Sequence, residues 1–180
     1  PYALVGGLSA VLAFTLHGAI FLSLKTTGDL LEKSHQAASR LWLPTVLVLV
    51  LFVVLTYLQT DILTKLGVNP GPVPLVSAIA ILASAWFIKQ KRSGWAFAMT
   101  ATGIAASISS LFLIMFPRVM ISSLNPDWSL TIYNASSGPY TLQVMTIVAL
   151  IFVPIVLIYQ GWSYWIFRKR ITQKPQDLHY

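Results

Sequence analysis

Five stretches of this 180-residue chain contain no lysine, arginine, aspartate or glutamate: Tyr2 to Leu24, Leu41 to Thr60, Val73 to Ile88, Ser93 to Phe116 and Tyr140 to Phe167. An apolar run of about 20 residues crosses the hydrocarbon layer as a helix, because only a helix satisfies every backbone polar group without water. The pattern therefore predicts an all-α fold, a polytopic transmembrane helix bundle with five spans forming a single integral-membrane domain. The third run is the shortest, at 16 residues. It needs a thin local bilayer or an extension back toward Pro70 and Pro72. Composition agrees: 56% of residues are hydrophobic and 9% charged, whereas soluble domains carry about a quarter charged. The runs and their short connections leave no room for a second, soluble domain.

Every basic residue falls in a connection or the tail, and the connections alternate in sign content. The first holds Lys25, Lys33 and Arg40, the third Lys89, Lys91 and Arg92, and the tail Arg168, Lys169, Arg170 and Lys174. The other side has Lys65 and Arg118. Ten against two is the bias expected when the tail is cytoplasmic. The formal charge of +7 then reports orientation, and nucleic acid is not an expected partner. Five spans with a cytoplasmic tail put Pro1 outside. Since the chain begins neither with Met nor with a basic, cleavable signal, the expectation is a preceding piece with an odd number of spans, or else a signal removed before Pro1.

Residue types suggest which spans face lipid. Val46 to Leu55 is large and apolar all round and should meet lipid or a flat partner. The fourth run carries Ala98, Thr102 and Gly103-xxx-Ser107, and the first carries Gly6-xxx-Ala10, small residues that allow close helix approach. Both should lie inside the bundle. Pro154 removes a backbone donor from the last run and is expected to bend it. Aromatic residues gather at span ends, with Trp42, Trp86, Trp95, Trp162 and Trp165 on the basic side and Tyr2, Tyr57 and Tyr140 opposite. They mark the headgroup layers. Trp162 and Trp165 ahead of Arg168 to Arg170 read as an interfacial anchor, with anionic-lipid binding as the alternative.

Candidate chemistry is sparse. The chain has no cysteine, which removes disulfides, thiolate zinc and iron–sulfur sites, c-type haem attachment and cysteine nucleophiles. Of three histidines only His17 lies within a run; His35 sits in the first connection and His179 at the end. Two-histidine haem ligation is therefore out of reach, and a pairing of His17 with Met99 or Met115 competes with ordinary packing. Asp29, Glu32, Asp61, Asp127 and Asp177 all lie outside the runs, where they cannot form a midplane proton path. His17, about 10 Å from the inner end of its helix, reads as a hydrogen-bonded imidazole between helices or as a proton relay. No catalytic, cofactor-binding or metal residue is assigned.

Two connections exceed simple turns. Residues 25–40 mix Leu30, Leu31, Ala37 and Ala38 with both charge signs, and either lie as a short surface helix or prolong the first span. Residues 118–139 contain Asn125-Pro126-Asp127 and a polar run from Asn134 to Gly138. They are long enough to form a lid on this bundle or to cap a partner's site. Asn134-Ala135-Ser136 fits a glycosylation triplet.

The segments LHGAIFLSLKTTGDL (16–30), FPRVMISSLNPDWSLTIYNASSGPYTLQVMT (116–146) and PIVLIYQGWSYWIFRKRIT (154–172) resemble subunit II of the cytochrome bd-type quinol oxidases. The likeness covers nearly the whole chain and corresponds to the C-terminal five of that family's eight spans; the three N-terminal spans, with their aspartate-glycine and tryptophan-aspartate-glycine-asparagine motifs, are absent. It implies one subunit of a heterodimeric enzyme of the bacterial plasma membrane and respiratory chain that oxidises quinol and reduces dioxygen to water. It also implies that haems b and d sit in the partner, subunit I, with a possible small accessory subunit, and that this chain ligates none of them. A fragment of a secondary transporter, with Pro154, Tyr159 and Gln160 as a thin polar site, is the alternative from another class.

Overall fold

Helices follow the apolar runs in the computed structural model, which describes residues 2–61, 67–122 and 124–171. They are α1 (Tyr2–Lys25), α2 (Gly28–Gln59), α3 (Val73–Lys89), α4 (Ser93–Met115) and α5 (Pro139–Ile166), with β1 (Arg118–Met120) and β2 (Leu130–Thr131) between the last two. Four of the helices are long and apolar enough to cross a membrane, and the chain is a multi-pass membrane protein. Pro1, Lys65, Lys174, Asp177 and His179 lie outside the described residues.

Two expectations about boundaries change. The first connection is neither a separate surface helix nor a prolongation of α1. The chain breaks only at Thr26 and Thr27, Gly28 takes a left-handed φ of 63°, and the polar segment then runs unbroken into the second span as one 32-residue helix. At 1.5 Å per residue that is ~48 Å against a hydrocarbon core of ~30 Å, so the first turns of α2 stand in the headgroup layer and water. The third span gains no extension toward Pro70. A turn fixed by Asn69 Oδ1 accepting from Gly71 N at 2.9 Å precedes it, with Gly71 at φ 54°, and α3 stops at 17 residues.

The chain divides into two compact units, residues 1–116 with 170–180, and residues 117–169. In the first unit α1 packs along α2 and α3 along α4, with further contact of α1 on α4 and α2 on α3. Its buried core is Leu16, Ala19, Ile20, Ala38, Ile88 and Ala96; three alanines let four backbones converge near the basic end. The small residues do the work expected of them, but against this chain's own helices. A Cβ on Gly6 would stand 2.9 Å from the Phe52 ring of α2, and one on Gly103 would stand 2.6 Å from Ile81 Cγ1 of α3. The Gly103 face is thus consumed within the chain and is not open to a partner. Gly67 N and Val68 N donate to Ile114 O and Leu113 O at 3.0 and 2.9 Å, closing carbonyls that α4 leaves free at its end.

In the second unit β1 and β2 pair antiparallel across a short 3-10 turn, Pro126–Trp128. Asn134 clamps this hairpin, its Oδ1 accepting from Thr131 N at 2.7 Å and its Nδ2 donating to Ser129 O at 3.1 Å. The carboxamide of the would-be glycosylation triplet is therefore a structural element of the turn. Helix α5 continues as helix through Pro154, and none of its residues is buried.

Candidate functional site

Hydroxyl groups carry most of the polar contacts inside the four-helix unit. Thr100 Oγ1 of α4 lies 3.1 Å from both Ala96 O and Phe97 O, so its single proton points back along its own helix. Its oxygen lies 2.8 Å from His17 Nδ1 of α1, a bond in which the ring donates when Nδ1 carries the proton. The His17 ring stacks on Phe97 with centroids 4.4 Å apart. The α4 residues that engage this imidazole are thus Phe97 and Thr100, and the hydrogen bond between helices is the arrangement found.

The same device recurs. Thr56 donates to Phe52 O at 2.7 Å and accepts from Tyr2 OH at 2.9 Å. Ser77 donates to Gly103 O at 2.9 Å and accepts from Ser107, 2.5 Å away. Trp42, expected only as an interfacial marker, donates from Nε1 to Ile81 O at 3.1 Å and toward Ser84 Oγ at 3.2 Å, joining α2 to α3. Among the described residues no buried side-chain nitrogen or oxygen lacks a partner.

A small cleft bordered by Leu16, Thr45, Ile81 and Thr100 measures about 10 Å³, the scale of the ~10–15 Å³ that a single water requires. One face of His17 is covered and its Nδ1 is engaged. Among the described residues no group of three or more histidine, cysteine or acidic side chains could hold a metal ion.

At the basic end of this unit lies a larger, open recess of about 270 Å³ between the first turns of α2 and the end of α3. Glu32, His35 and Arg40 line it from α2, and Lys89 and Lys91 from α3 and the turn that follows. That turn is a Schellman closure, with Arg92 N donating to Phe87 O and Lys91 N to Ile88 O, both at 3.0 Å, and with Lys91 at φ 55° where glycine is usual. Lys91 Nζ meets Glu32 Oε1 at 3.2 Å, both side chains well exposed. The residue after Arg170, Ile171, donates its N–H to Lys25 O at 2.7 Å. His35 titrates below its ordinary range because burial disfavours the cation; Lys91 and Arg170 add to this and Glu32 opposes it. Sequence reasoning missed the recess, although every one of its basic residues was counted for orientation.

In the second unit, Arg168 stacks its guanidinium 4.8 Å from the Trp165 ring centroid. Tyr159 lies beside Trp162 at 6.3 Å. The anchor residues of the tail thus contact one another along one helix face.

The family model for cytochrome bd terminal oxidase subunit II matches residues 1–167. The chain belongs to this family. It is 39% identical over 173 residues to the cytochrome bd ubiquinol oxidase subunit 2 of Bacillus subtilis, covering 96% of this chain and 51% of that protein. To the cytochrome bd-I ubiquinol oxidase subunit 2 of Escherichia coli K12 it is 29% identical over 203 aligned positions, covering 97% and 54%. A probable cytochrome oxidase subunit 2 of Haemophilus influenzae is 30% identical over 192 positions, covering 91% and 51%. The chain spans about half the length of the curated relatives it matches. The resemblance drawn from residues 16–30, 116–146 and 154–172 is thereby borne out.

Proposed function

We propose that this chain acts as a structural, non-haem-ligating part of a cytochrome bd-type quinol:oxygen oxidoreductase in a bacterial plasma membrane. In this reading its basic end and its C-terminus face the cytoplasm, and haems b and d belong to the partner subunit. The complex oxidises quinol and reduces dioxygen to water, while this chain supports assembly and shields the haem subunit from lipid and water. The observation that carries the reading is the use of polar groups in the four-helix unit: Tyr2, His17, Trp42, Ser77 and Thr100 are all spent joining helices. Relatives named as oxidase subunits supply the reaction class.

The apolar surface supports a covering role. Leu47, Val50, Leu51, Val53 and Val54 of α2 are exposed and no residue of α5 is buried; such faces need lipid or a neighbouring subunit against them. The test is to replace His17 by Phe in the assembled complex and measure haem per complex by its optical spectrum. Unchanged haem b and d content is expected. Loss of one haem equivalent with the complex still intact would overturn the proposal.

A further inference from the structure

The open recess at the basic end has the chemistry of an anion site and the height of a lipid headgroup. Arg40, Lys89 and Lys91 stand against the single carboxylate of Glu32. Glu32 is engaged with Lys91, so among the described residues neither Arg40 nor Lys89 meets a carboxylate within ion-pair distance. His35 and Ser39 add donors on the α2 wall, and Arg170 lies close enough to His35 to help suppress its protonation. Two cations thus flank an open volume whose one carboxylate is engaged by a third, Lys91.

Its depth in the bilayer is set by indole rings. Trp42 follows Arg40 by two residues, Trp86 precedes Lys89 by three, and Trp95 follows Arg92 by three. Trp86 and Trp95 are exposed on the outside of the unit. Such rings lie in the headgroup layer, which puts the recess level with lipid phosphates. Its floor is the buried, apolar Ile88, suited to the glycerol carbons beneath a phosphate. At about 270 Å³ it takes a group far larger than one water, which needs ~10–15 Å³. Basic pockets between membrane helices are where anionic headgroups dock.

We propose that this recess binds a phosphate-bearing anion, supplied by the headgroup of an anionic phospholipid, with Arg40 and Lys89 as its principal partners and Lys91 released from Glu32 toward it. The assignment stands on the membrane placement and not on the oxidase reading.

The test uses the protein extracted from its membrane with its partner subunits, stripped of lipid and titrated separately with phosphatidylglycerol, phosphatidylcholine or inorganic phosphate. Bound lipid is counted by native mass spectrometry, and thermal stability is followed in parallel. Phosphatidylglycerol should be retained in preference to phosphatidylcholine, and the double variant Arg40→Gln/Lys89→Gln should hold it about 30-fold more weakly. Lys33→Gln/Arg92→Gln, which removes the same charge from the same end outside the lining of the recess, should leave retention unchanged. Glu32→Gln removes the competing carboxylate and should strengthen retention, a readout that survives if the double variant fails to assemble. Equal losses in both double variants, or no gain with Glu32→Gln, would overturn the site. Stabilisation by inorganic phosphate without preference between the two lipids would overturn the lipid as its source.

Discussion

Replacing Gly103 by alanine tests the packing of α3 on α4 at its tightest point. The new methyl would stand 2.6 Å from Ile81 Cγ1 and 3.3 Å from Ile81 Cδ1, where carbon atoms prefer ~3.5–4.0 Å. The helices must separate by about 1 Å, a gap that forfeits a quarter to a half of each contact's attraction along the seam. Overpacking of this kind costs ~1–3 kcal/mol, and alanine returns ~0.5–1 kcal/mol through helix propensity. The net expectation is destabilisation of roughly 0.5–2 kcal/mol. Gly18→Ala is the matched control, because a Cβ there meets nothing within 4 Å; it should be neutral or stabilising. Ile81→Ala removes the colliding atoms, so the double variant should lose less than the sum of the two singles. Equilibrium unfolding of the purified protein in mixed micelles reads all four. Equal stability of Gly103→Ala and Gly18→Ala, or strict additivity with Ile81→Ala, would refute the reasoning. The bulkier Gly103→Leu should lower the yield of assembled protein well below that of Val50→Ala, a change on an exposed face.

Thr100→Val removes the hydroxyl partner of His17 Nδ1 and should cost ~0.6 kcal/mol, the average for hydrogen bonds between membrane helices, and at most ~1.7 kcal/mol; Thr100→Ser should stay near wild type, and identical unfolding curves for the two would remove the bond's role. Because His35 binds its proton less readily folded than unfolded, the unfolded chain holds more protons as pH falls below about 6.5, so stability should decline through that window and be fully present above it. His35→Gln should flatten that slope, measured as melting temperature from pH 7.5 to 5; an unchanged slope would show that Glu32, Lys91 and Arg170 do not act on this ring as described.

What could be read from the sequence follows from how the bilayer selects. Hydrocarbon excludes charge, so the apolar segments are visible as charge-free runs; all five lie in helices, four of them long enough to cross a membrane. The start of α2 was hidden because Gly28 to Arg40 is a polar segment whose helicity is carried by continuity with the span after it. Small residues at Gly6 and Gly103 announced close approach without saying to what; Phe52 and Ile81 could equally have belonged to a partner. His17 and Thr100 were each visible, yet 83 positions separate them, and no periodicity joins α1 to α4. The recess was hidden for the same reason, since Arg40 and Lys89 come together only when α3 folds back on α2. β1 and β2, at three and two residues, are too short to leave an alternating pattern.

The doubled use of hydroxyls bears on how such a chain is made. Thr45, Thr56, Thr100 and Ser110 each already donate to a carbonyl of their own helix, so α2 and α4 can leave the insertion machinery with those protons satisfied. Docking then brings Leu12 O to Thr45, Tyr2 OH to Thr56 and His17 Nδ1 to Thr100 without breaking those bonds. Synthesis and lateral association become separable events, and a helix waiting for a late neighbour carries no hydroxyl penalty at these four positions.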